Sequence, residues 1–138
     1  MDKVRVAVVG LGFGAEFVPI YQAWGKTECV AVCRRDEEKL NAFADRLGVP
    51  KRYTGYRELL KDDEIDAVHI NTDLQSHAWM AAEALKAGKH VACTVTMGMR
   101  PEECKELVRL EKQSGKVYMM METAIYTREF LYCKRRME

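Results

Sequence analysis

Six residues near the amino terminus, Gly10-Leu11-Gly12-Phe13-Gly14-Ala15, are the first in this chain whose types and spacing could do chemistry. They follow the apolar run Val6-Ala7-Val8-Val9 directly and fit the spacing G-x-G-x-x-A. In a strand–turn–helix unit each small residue there has a task. Gly10 permits a tight turn, Gly12 lets the backbone approach a pyrophosphate, and Ala15 is small enough for a helix to pack on the strand. The helix start then offers N–H groups and a positive dipole end to the phosphates. The pattern predicts dinucleotide binding, with a purely structural turn as the plain alternative. The same glycines also read G-x-G-x-G, a spacing that some methyltransferases use for S-adenosylmethionine. Those loops carry an acid near the end of the first strand, where this chain has Val8 and Val9, and the reading is disfavoured.

A second cluster is Cys33-Arg34-Arg35-Asp36, at the end of an expected second strand. An acid at that place accepts from the 2′-hydroxyl of NAD, whereas an arginine favours the 2′-phosphate of NADP. Two adjacent guanidiniums make a phosphate clamp, and Arg35 could also stack on adenine. Their plain alternative is solvated surface charge. Asp36 reads as a helix cap rather than a ribose ligand, so this loop favours NADP over NAD. The third cluster, Asn71-Thr72-Asp73-Leu74-Gln75-Ser76-His77, runs from a fourth strand into its helix. Thr72 and His77 are the candidates for contact on the nicotinamide side. His77 could equally be a residue of the first helical turn. His69 and His90 read as structural, and Met119, Met120 and Met121 as core or edge-strand fillers.

The elements that must position these residues alternate short apolar runs with helical patterns, the signature of βαβ units. Strands are expected at Lys3–Val9, Cys29–Cys33, Lys51–Tyr53, Ala67–Asn71, His90–Thr94 and Val117–Met121. Helices are expected at Gly14–Trp24 with a disturbance at Pro19, Asp36–Leu47, Tyr56–Lys61, Ser76–Ala87, from Pro101 to before Gly115, and Thr127–Arg136. Cys104, Leu107 and Val108 are expected on the buried face of the fifth. The fold class is α/β, a doubly wound parallel sheet of Rossmann type in three α-β-α layers. Its ligand crevice belongs at the carboxyl ends of strands one and four.

The composition agrees with one ordinary domain. The chain has 138 residues, 48% hydrophobic and 31% charged, with 22 Lys+Arg against 21 Asp+Glu for a net charge of +1. That balance gives no bulk electrostatic reason to invoke nucleic acid or an anionic membrane. The longest mostly apolar run, Val6–Ala15, is too short to span a bilayer, and no leader segment is read at the amino terminus. Five cysteines without a C-x-x-C pair point to reduced thiols and a cytoplasmic setting, and no metal site is expected.

Four segments in this order, V-V-G-L-G-F-G-A, E-C-V-A-V-C-R-R-D, E-I-D-A-V-H-I-N-T and A-L-K-A-G-K-H-V-A-C, resemble the amino-terminal domain of the Gfo/Idh/MocA oxidoreductases over about Val4 to Phe130. The resemblance implies an NAD(P)-dependent dehydrogenase acting on a sugar, polyol or related secondary alcohol. It implies that Gly10, Gly12, Phe13, Gly14 and Ala15 line the pyrophosphate, with Thr72 and His77 toward the nicotinamide; Leu11 and Thr94, and Arg34 and Arg35 from the second-strand loop, complete the expected cofactor-binding residues. The chain departs from the family pattern in three ways. Thr94-Val95-Thr96 stands where the family has Glu-Lys-Pro, and Val95 has no ionisable group to replace the lysine. Asp73 and Leu74 replace a proline and an asparagine. The family's second, substrate-binding domain with its catalytic histidine has no counterpart in these residues.

Residues 1–122 are therefore expected to form the dinucleotide-binding domain, and 123–138 the start of a connection to a substrate domain. Alone, the chain should bind dinucleotide and turn over no substrate, which would need the other domain. No nucleic acid or membrane partner is expected, and a homo-oligomer is open. An apolar patch around Tyr126, Phe130 and Leu131 should mark the docking side. The alternative is a non-catalytic nucleotide-binding or regulatory module that lost the family's lysine.

Overall fold

The computed structural model describes residues 3–138. Six parallel strands form one sheet in the order β3-β2-β1-β4-β5-β6. They are β1 (Val4–Val9), β2 (Thr27–Cys33), β3 (Lys51–Tyr53), β4 (Ala67–Ile70), β5 (His90–Thr94) and β6 (Tyr118–Met121). The helices are α1 (Val18–Ala23), α2 (Glu37–Leu47), α3 (Tyr56–Leu60), α4 (Leu74–Lys86), α5 (Pro101–Ser114) and α6 (Arg128–Met137). The chain order reverses direction between β1 and β4, so the crevice opens at the carboxyl ends of those strands, as the doubly wound fold requires.

The central strands are continuously apolar because both faces are covered. Alternation along β1 and β2 divides the core. Ala7, Val9, Ala31 and Cys33 join the layer packed by α3, α4 and α5, whereas Val8 and Val32 join the layer of Val18, Leu40 and Ala44, as does Cys29, which precedes a register shift between β1 and β2. Removing most of a side chain from either layer would cost about 2–5 kcal/mol.

The structure differs from the sequence expectation in instructive places. The single helix expected at Gly14–Trp24 is a 3-10 turn, Phe13–Phe17, followed by α1. Pro19 sits in the first turn of α1, where its missing N–H costs nothing, and so it starts that helix instead of kinking a longer one. α4 begins two residues early because Asp73 caps it, its carboxylate accepting from the Ser76 amide at 3.1 Å. On α5, Leu107 and Leu110 are buried but Val108 is 45% exposed, so the helix face is rotated from the expected one.

Candidate functional site

A crevice of about 710 Å³ opens where β1, β2 and β4 end. That volume lies within the range of about 300–1,000 Å³ usual for small-molecule sites. The turn after β1 forms its floor. Gly10 has φ +88°, and its amide donates to the Cys33 carbonyl at 3.0 Å, tying the turn to the end of β2. A Cβ on Gly10 would stand 2.4 Å from the Asn71 carbonyl oxygen, so the turn and the loop after β4 are in backbone contact. Gly14 is buried, and a Cβ there would meet Asn71 and Val8 at 3.0–3.1 Å. That close docking holds Phe13–Phe17 flat against the sheet.

Gly12 differs from both. Its φ of −74° lies outside the left-handed region, and no atom lies within 4 Å of where a Cβ would stand. Packing within the chain does not account for a glycine here. It leaves a bare stretch of backbone facing the crevice.

The expected site residues divide into two sets. Gly10, Leu11, Gly12, Arg34, Arg35 and Thr72 line the crevice, Leu11 with its side chain turned into the core. Phe13, Gly14, Ala15, His77 and Thr94 do not line it. Phe13 is 59% exposed and packs edge-on against Phe17, and Ala15 is buried beneath the turn. Thr94 donates to the Ile70 carbonyl at 3.1 Å, joining β5 to β4. His77 is buried, with Nδ1 2.7 Å from the Thr96 carbonyl and Nε2 3.3 Å from the Thr72 carbonyl, and so clasps the loops after β4 and β5 together.

Positive charge on the rim comes from Arg34, which is half-buried, and Arg35, which is exposed, and the carboxylates of Asp36 and Asp73 line the same crevice. Neither guanidinium forms an ion pair among the described residues. Asp36 caps α2, accepting from the Lys39 amide at 3.1 Å, and that bond with the Lys39 ammonium holds its carboxyl below the usual range. Burial pushes the Cys33 thiol up to about 11, so the floor is neutral. Beneath the β4 wall lies His69, fully buried, with Nδ1 3.0 Å from the Tyr21 hydroxyl. Burial pushes its pKa down to about 4.

Several lining residues were not among those expected: Thr54, Gly55, Tyr56, Asn71, Ser76, Trp79 and Met80. Ser76 and Trp79 sit three apart on α4, a spacing that shares a helix face, and this was the one signal that could have found them. Among the described residues no cluster of His, Cys, Asp and Glu is placed to hold a metal ion, and no helix is long and apolar enough to cross a membrane.

The Gfo/Idh/MocA family model, described as an oxidoreductase family with an NAD-binding Rossmann fold, matches residues 4–122. A glycosyl hydrolase family 109 protein of Shewanella pealeana is 35% identical over 141 residues, covering 95% of this chain and 31% of the relative. An NAD-binding protein of Listeria innocua superposes with a TM-score of 0.90 at 31% identity, over 98% of this chain and 38% of that one. Myo-inositol 2-dehydrogenase of Lactobacillus plantarum gives a TM-score of 0.87 at 26% identity, over 99% of this chain and 41% of that one. The chain thus spans about a third of the length of the curated relatives it matches.

Proposed function

We propose, for a chain that belongs to the Gfo/Idh/MocA oxidoreductase family and forms its NAD-binding domain, that the crevice seats NADP in preference to NAD. The observation that carries the reading is the bare backbone at Gly12, a glycine that the chain's own packing does not require. A pyrophosphate lying on Gly10–Gly12 accounts for it. Arg34 and Arg35, without ion pairs among the described residues, supply charge for the 2′-phosphate at the end of β2. Thr72 lies on the nicotinamide side, and His77 and Thr94 shape that wall from behind. When bound, the dinucleotide supplies hydride exchange with a carbon of the substrate.

The substrate class is a sugar, polyol or related secondary alcohol. The names of two relatives, a glycosyl hydrolase family 109 protein and a myo-inositol 2-dehydrogenase, support a polyhydroxylated substrate. The first name also favours a second reading, glycoside cleavage by the longer protein. Assaying a full-length form against polyols with NADP and against nitrophenyl glycosides separates the two. Residues 1–122 serve as the dinucleotide unit and 123–138 lead toward a substrate-binding part, a division supported by the 31% coverage of the relative. The free thiols of all five cysteines support a reducing, cytoplasmic setting.

Calorimetric titration with NADPH and NADH tests the reading. Saturable heat with both, tighter for NADPH, is expected. Arg34→Asp should weaken NADPH by about tenfold relative to NADH, the loss of one charge-assisted contact. No saturation by either at millimolar concentration ends the reading, and unchanged relative affinities in the variant make Arg34 surface charge.

A further inference from the structure

We infer that the Trp79 indole is the platform on which the adenine ring of the dinucleotide stacks. The inference rests on the crevice reading above and adds a residue to it.

Trp79 is rooted in α4, on the β4 side of the crevice, and lines the crevice beside Tyr56. It meets Tyr56 edge-on with centroids 5.9 Å apart. Tyr56 opens α3, directly after β3, and in the sheet β3 lies beyond β2 on the side away from β4. The indole, Tyr56, Arg34 and Arg35 thus line the same crevice. One charged end for a phosphate and one flat apolar surface beside it match a phosphorylated purine nucleoside.

The ring is held in place and left open. Tyr56 is buried and its hydroxyl donates to the Met80 carbonyl at 2.7 Å, so the partner that orients the indole is itself fixed. Trp79 nonetheless stays 46% exposed and belongs to neither core cluster. Folding leaves nearly half of its surface uncovered. An aromatic ring presented to a wet crevice by a fixed neighbour binds planar π-systems with little ordering cost.

The chain contains two tryptophans, and their separation provides the test. Trp24 precedes Thr27, where the seven-residue β2 begins, and so lies at the far end of the sheet, about 20 Å from the crevice by strand rise. In the Trp24→Phe variant, emission reports Trp79 alone. Titration with ADP-ribose should quench it to saturation, and titration with nicotinamide mononucleotide should leave it unchanged. Trp79→Ala should weaken ADP-ribose by about tenfold in calorimetry, the size of a lost base-on-aromatic stack. Trp79→Phe, which keeps a ring and guards against misfolding, should stay within about threefold of the parent. If ADP-ribose binds with full heat while emission stays constant and Trp79→Ala binds equally, the inference is overturned and the crevice reading stands. Quenching by nicotinamide mononucleotide overturns it too, by reversing the ligand's direction. If ADP-ribose, NADPH and NADH all fail to bind, the crevice reading falls and the inference with it.

Discussion

The two walls of the crevice are built on opposite principles. The turn after β1 works through missing atoms: Gly10, Gly12 and Gly14 bring backbone against backbone or leave it bare. The β4 wall works through buried polar side chains, with His69 against Tyr21, His77 between two carbonyls and Asn71 against the turn. The first wall declares its purpose in residue type alone. In the second, a polar residue can face the ligand or the core, and only packing decides. Both histidines of that wall face the core.

Perturbing each wall sharpens the contrast. Gly10→Ala should have the largest effect, about 3 kcal/mol or more of lost stability by urea unfolding. It forces a Cβ into a left-handed backbone and 2.4 Å from the Asn71 oxygen. Gly12→Ala should change stability by no more than about 1 kcal/mol while weakening NADPH about tenfold or more. Equal stability losses in the two variants would show that both glycines serve the fold alone.

Next in size is an acid response centred on His69. Its native pKa of about 4 lies below the ordinary 6.5, so between those values the unfolded chain binds a proton that the native one does not. Stability should therefore fall as pH drops from about 6.5 to 4, by about 3 kcal/mol in all. Asp66, held at about 2 by its bonds to Arg5, loses its contribution only at lower pH. Urea titrations at several pH values should show this slope in the parent and its loss in His69→Gln. A slope that survives the substitution would place the titrating group elsewhere.

Smaller than the His69 response is the effect of His77→Ala. The substitution removes the ring between the two carbonyls, with its 2.7 Å hydrogen bond to Thr96, and should cost about 2 kcal/mol. An unchanged unfolding midpoint together with lost dinucleotide affinity would move His77 from the wall to the ligand.

What could be read in the residues follows the same division. The sheet, its order and the crevice position were legible because apolar runs and glycine spacing fix them directly. The 3-10 turn at Phe13–Phe17 was not, since Gly14 packs there against Val8 of β1 and Asn71 of the loop after β4, far apart in the chain. Val108 and Leu110 have similar apolarity, and only the seating of α5 on the sheet decides which is covered. Trp79 stayed hidden because an aromatic residue inside an amphipathic helix reads as core until the crevice beside it is known. The role of His77 needed the loop after β5, nineteen positions downstream, whose approach no local pattern announces.

The employment of Asp36 as a helix cap has a bearing on redesign. In many Rossmann proteins an acid in this neighbourhood sets coenzyme choice, and it is the obvious position to mutate. Here its carboxylate already secures the first turn of α2. Altering it would loosen a helix of the opposite layer at the same moment as it changed the rim's charge, and the two consequences would be entangled in any assay. Arg34 and Arg35 carry no such second duty among the described residues, so engineers wishing to convert this scaffold should begin with the pair and leave the neighbouring acid alone.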